Sequence, residues 1–134
     1  MQKIDIINNT NSITFYKMLF DGKCLFDEFV DEVNKVDNDK KHFTALVAWM
    51  DNYSPNLYSP STKINHINQV SRIDVIEFKK DNLRIYAISQ KPNVFVILGG
   101  YKNNQKNDIK HIRKLIKELP QQLTIDITTN TIQS

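Results

Sequence analysis

Glu77, Lys79, Arg84 and Tyr86 lie on either side of the dipeptide Asp81-Asn82. Both Asp and Asn tolerate the left-handed conformation of a tight turn, so the pair reads as a two-residue hairpin loop. Lys80 then faces Leu83, Lys79 faces Arg84, Phe78 faces Ile85, Glu77 faces Tyr86 and Ile76 faces Ala87. Side chains alternate along a strand. One face of the hairpin therefore carries Ile76, Phe78, Ile85 and Ala87, and the other gathers a carboxylate, two cations and a phenol. A slip of one residue would mix the two sets, so the apolar pattern selects this register.

A second group follows in GGYKNNQK, residues 99–106. Two glycines close an apolar run, and Gly lets a backbone approach a ligand closely. Tyr101, Lys102, Gln105 and Lys106 come next, at the start of a helix, whose N-terminus favours anions. Cations, an aromatic ring and a helix start beside one sheet face suit a phosphodiester strand: phosphates pair with Lys and Arg, and a base stacks on Tyr. The same residues also fit a solvated turn and a cross-strand ladder of ion pairs, worth roughly a few tenths of a kcal/mol each.

The elements that must position these residues follow from periodicity. SITFYKMLF (12–20) is β-branched and aromatic and reads as a strand that Asp21-Gly22 ends. Leu25, Phe26, Phe29, Val30, Val33 and Val36 recur at helical spacing, and Phe43, Leu46, Val47 and Met50 mark a second helix. Asp37-Asn38-Asp39 between them stops the first helix and supplies a cap for the second, giving an αα-hairpin. Residues 54–71, with Pro55 and Pro60, read as a loop. RIDVIEFKK, LRIYAIS and NVFVILGGY read as three consecutive strands. A helix then starts at a cap of Asn107 or Asp108, with Ile109, Ile112, Leu115, Ile116 and Leu119 on one face and Pro120 at its end.

The order β-α-α-β-β-β-α segregates helices from strands. It predicts an α+β domain: an antiparallel four-stranded sheet with an N-terminal αα-hairpin and a C-terminal helix on one of its faces. The 134 residues make one domain, with a core over about 12–119 and a tail or short extra strand over 120–134.

Composition narrows the setting. Residues 1–71 hold seven Lys/Arg and nine Asp/Glu, whereas residues 72–119 hold eleven and five. The basic half favours an anionic partner or a solvated basic face. The single cysteine, Cys24, excludes an internal disulfide. The first residues lack the apolar centre of a signal peptide, and no apolar run approaches the roughly 18 residues of a membrane span. A cytoplasmic protein with no membrane contact is expected. There is no Walker loop, GxGxxG, HExxH or Cys/His cluster. Trp49 is read as core or partner-facing, Cys24 as packed in the first helix, and His42, His66 and His111 as surface or structural residues.

Residues 72–119 resemble the C-terminal half of RelE/HigB-type toxins of bacterial toxin–antitoxin systems, the RelE/ParE superfamily. Glu77-Phe78-Lys79 meets that family's Glu-apolar-Arg/Lys strand, Arg84-Ile85-Tyr86 its Arg-apolar-Tyr strand, and VFVILGGYK its apolar strand ending in Gly, an aromatic and Lys. Residues 12–71 match by element order alone. The resemblance implies a type II toxin that acts as an mRNA interferase, an endoribonuclease cutting mRNA at the ribosome and neutralised by a cognate antitoxin protein. It implies attack of a ribose 2′-hydroxyl on the adjacent phosphate without a metal or other cofactor. It gives Arg84 and Lys102 the phosphate charge, Glu77 the role of base, and Lys79, Tyr86, Tyr101 and Lys106 contacts to substrate. Where many members carry a His or Tyr as acid, Asn107-Asp108 stands here, and His111 falls inside the last helix. A non-catalytic protein of the same fold that binds an antitoxin or RNA is the alternative.

Overall fold

The computed structural model describes residues 3–10, 13–53, 64–70, 73–90, 92–117, 119–120, 123–126 and 131–133. In chain order these form β1 (Lys3–Thr10), β2 (Ile13–Leu19), α1 (Leu25–Val33), α2 (Asp37–Asp51), β3 (Ile64–Val70), β4 (Ile73–Lys80), β5 (Leu83–Gln90), β6 (Asn93–Tyr101), a 3-10 turn (Lys102–Asn104), α3 (Gln105–Ile116), β7 (Thr124–Asp126) and β8 (Thr131–Gln133). The fold is α+β, and the predicted β-α-α-β-β-β-α order is matched only in part: β2, α1, α2, β4, β5, β6 and α3 follow it, but β3 stands between α2 and β4, and β1, β7 and β8 are additional.

The sheet is larger than four strands and is not purely antiparallel. Its order is β3-β4-β5-β6-β2-β1-β8-β7. β2 runs parallel to β6, with Thr14 opposite Asn93 and Lys17 opposite Val96. Parallel neighbours need a long crossover, and the αα-hairpin and the β4-β5 hairpin between β2 and β6 supply it. β3 replaces part of the expected 54–71 loop; residues 54–63 lie outside the described residues. β1 pairs with β2, and β8 pairs with β1, so the tail contributes two short strands.

The predicted hairpin register holds at every pair from Ile76–Ala87 to Lys80–Leu83. Only Asp81 of the loop uses the left-handed region, at φ 53°. The αα-hairpin is also found, but Val36 occupies the N-cap of α2, and Asp37 and Asp39 lie in its first turn, where carboxylates suit the helix dipole. α3 likewise begins earlier than expected, at Gln105 after Asn104.

The helices cover both faces of the sheet, not one. Phe26, Phe29, Val33, Leu46 and Met50 of α1 and α2 bury Ile76, Phe78, Ile85, Ala87, Val94 and Val96. On the other face, Ile112 and Ile116 of α3 pack with Met18, Val75, Tyr86, Ile88, Phe95 and Ile97. β5 and β6 are therefore apolar on both sides, as strands buried between two layers are.

Candidate functional site

The face expected to be open to solvent is roofed by α3. Glu77 is 1% exposed, Tyr86 0% and Arg84 7%. The expectation of an exposed polar face is corrected by this burial. The hairpin pairs these residues as predicted, but the isoleucines of α3 give that face a second core.

Each polar group meets a particular partner. Gln105, at the start of α3, donates its side-chain amide to Glu77 Oε2. Arg84 Nη1 donates to the carbonyls of Asp81 (2.7 Å) and Leu83 (2.8 Å), so its guanidinium curls back over the hairpin loop. Arg84 Nε, the Tyr86 hydroxyl and Asp108 Oδ2 are buried without a hydrogen-bond partner among the described residues. Burial pushes the Tyr86 hydroxyl far above its usual range, and the nearby carboxylates of Glu77 and Asp108 push the same way. Burial also raises Asp108, opposed by an Asn104 amide that donates to its Oδ1 at 3.1 Å and by His111.

A β-bulge decides which way the glycine turn presents its side chains. Tyr86 pairs with Leu98 but Ala87 pairs with Val96, which leaves Ile97 as an extra residue in β6. Ile97 and Leu98 then both face the α3 side. Beyond them, a Cβ on Gly99 would overlap the Phe29 ring of α1, and one on Gly100 would overlap the Asp108 carboxylate of α3. The glycines serve close helix packing on the two faces rather than the approach of a ligand. Tyr101 lands on the α1 side, its ring 5.6 Å from Phe29 at 67°. Tyr101 and Tyr86 thus project from opposite faces. Burial raises the Tyr101 hydroxyl, helped by the charges of Glu32 and Asp39.

Around the hairpin loop the structure brings together a different set. The Lys102 amide donates to the Asn82 carbonyl at 2.8 Å and ties the 3-10 turn to the β4-β5 loop. Asn82, Tyr101, Lys102 and Asn103 line a pocket of about 610 Å³ at this end of the sheet. Arg84 is opposite Gly100 in the ladder, and its carbonyl contacts hold it at the same end. The pocket therefore offers an ammonium, a phenol ring and two amides, a set that suits an anion beside a planar ring.

The remaining candidates are placed elsewhere. Lys79 lines a groove with Ala45, Leu46, Trp49 and Lys80. Lys106 is exposed on the first turn of α3. His42 and His66 lie beside Asp81 and Asp74, and His66 belongs to β3, not to a loop. His111 and Asp108 line a cleft of about 150 Å³ with Glu28 and Glu32 of α1. Asn82 and Asn103 were missed by sequence reasoning; Asn103 follows Lys102 directly in the chain, whereas Asn82 is brought beside it by the loop-to-turn hydrogen bond, which no local pattern announces. Burial raises the Cys24 thiol, which argues against a reactive thiolate. No helix among the described residues is long and apolar enough to cross a membrane.

Searches of known protein families, of curated proteins and of solved structures return no match to this chain.

Proposed function

We propose that the chain is an RNA-directed toxin of the RelE/HigB kind, an mRNA interferase held in check by a cognate antitoxin. The observation that supports this reading is the pocket in which Lys102, Tyr101, Asn82 and Asn103 meet at the hairpin loop, with Arg84 curled over the same loop. In this reading, Lys102 neutralises the scissile phosphate and Tyr101 offers its ring to the adjacent base. The 2′-oxygen forms a bond to phosphorus, the bond to the 5′-oxygen breaks, and the products are a 2′,3′-cyclic phosphate and a 5′-hydroxyl. One proton leaves the 2′-hydroxyl and one arrives on the 5′-oxygen. Glu77 does not take the first proton while it is buried beneath Gln105, and Tyr86, fully buried, contacts no substrate.

That burial favours a second reading, a non-catalytic protein of the same fold that binds RNA. The two separate on one experiment. Purified protein is added to translating ribosomes and the 5′ ends of the mRNA are mapped, alongside binding of a labelled single-stranded RNA. Cleavage that Lys102→Ala abolishes supports the interferase. Binding without cleavage supports the second reading, and neither activity would remove both.

A further inference from the structure

The groove between α2 and the end of β4 shares no lining residue with the Lys102 pocket and has its own chemistry. Its walls are Ala45, Leu46 and Trp49 of α2 with Lys79 and Lys80 of β4, and its volume is about 210 Å³. Small-molecule sites usually enclose about 300 Å³ or more, so this volume suits one bulky side chain better than a metabolite. The floor is apolar: Leu46 is 0% exposed, and Trp49 packs partly against the core. The rim is cationic. Lys80 is exposed, and its ion pair with Asp81 is a loose 3.6 Å. Lys79 has no acidic partner within ion-pair distance among the described residues. Lys41 is exposed on α2 one helical turn before Ala45. Asp81 is the counter-charge at this end, and it is engaged by Lys80 and by His42 Nε2 at 3.3 Å.

We propose that this groove docks an acidic segment of a partner protein, which inserts one large apolar side chain between Ala45 and Trp49 and lays its carboxylates along Lys41, Lys79 and Lys80. Charge complementarity selects the occupant: an apolar pocket lined by Lys79 and Lys80, with Lys41 one helical turn along α2, rejects a basic segment and holds an acidic one. A tryptophan in a pocket of this kind is the sort of anchor that carries most of a binding energy. The inference goes beyond the RNA reading, because Lys102 and Tyr101 line a different pocket, and either can fail alone.

Trp49 is the only tryptophan, so its emission reports on this groove directly. The test selects displayed ten-residue peptides on the full chain, then titrates the enriched peptides against Trp49 fluorescence. The expected peptides carry several Asp or Glu around one Leu, Ile, Phe or Trp. They should shift Trp49 emission and weaken with added salt. They should lose at least tenfold in affinity to the double variant Lys79→Glu/Lys80→Glu. Ala45→Glu, at an exposed helical position that obstructs the pocket, should do the same without the strand changes. The proposal is overturned by no enrichment, by enrichment of neutral or basic peptides, or by affinities that neither variant changes. Trp49 emission that changes with protein concentration alone would give the groove to a second copy and also overturn it.

Discussion

Gln105, the first residue of α3, donates its side-chain amide to the carboxylate of Glu77 on β4, 28 positions earlier in the chain. This bond fastens the start of α3 to the sheet just after the Lys102–Asn104 turn. It satisfies a carboxylate that is 1% exposed and holds the turn against the hairpin.

Removing the donor takes from the buried Glu77 Oε2 the hydrogen bond that Gln105 gives it. Gln105→Ala should destabilise the domain by about 1–3 kcal/mol, the usual cost of stranding a buried acceptor. Glu77→Gln keeps an acceptor for Gln105 and should cost less. Urea unfolding of the three proteins checks the order; equal stabilities would mean that the bond contributes nothing.

Gly100 and Asp108 form the second seat of α3. A Cβ on Gly100 meets the Asp108 carboxylate, so Gly100→Ala should cost about 1–3 kcal/mol by overpacking. Asp108→Ala removes the obstruction. The double variant should be more stable than the sum of the singles predicts, by about 0.5–3 kcal/mol of coupling. Additive effects in thermal unfolding would show that the two groups do not touch.

The pH dependence at Asp108 has a definite sign. Burial raises its carboxyl above the ordinary 3.8, so the folded state binds a proton more tightly than the unfolded chain. Its contribution is therefore fully present below the ordinary value and is lost as pH rises through the raised one. Asp108→Asn, which keeps an acceptor for Asn104, should be more stable than wild type at neutral pH. The advantage should shrink toward acid and vanish below the ordinary carboxyl range. Denaturant midpoints measured from acid to neutral pH test this, and an advantage that does not vary with pH would contradict it.

The hairpin was legible because Asp81-Asn82 and the alternation from Ile76 to Ala87 allow one register. The two-sided burial contradicts the expected one-sided sheet, yet it too has a signal in the sequence. VFVIL is apolar at consecutive positions, the mark of a strand covered on both faces, and Tyr86 and Ile88 add to the second face. The parallel pairing of β2 with β6 was hidden because the partners stand far apart in sequence. β3, with the sequence INHINQV, lacks a strand-like apolar pattern and is set by its ladder to β4. At the site, the bulge at Ile97 mattered most. It sends Tyr101 to the α1 side and away from Tyr86, and no residue type in VFVILGG demands it. Lys102, singled out from the sequence, lines a pocket, whereas the burial of Glu77, Arg84 and Tyr86 depended on where α3 docks.

Cleavage of ribosome-bound mRNA tests the central claim most directly. In a purified translation reaction, wild-type protein should cut the message to leave a 2′,3′-cyclic phosphate and a 5′-hydroxyl. Lys102→Ala should lower the rate by at least tenfold, about 1.4 kcal/mol of lost transition-state stabilisation, with the melting temperature unchanged. Intact mRNA at saturating wild-type protein, with no growth arrest when the protein is induced in bacteria, would contradict the account.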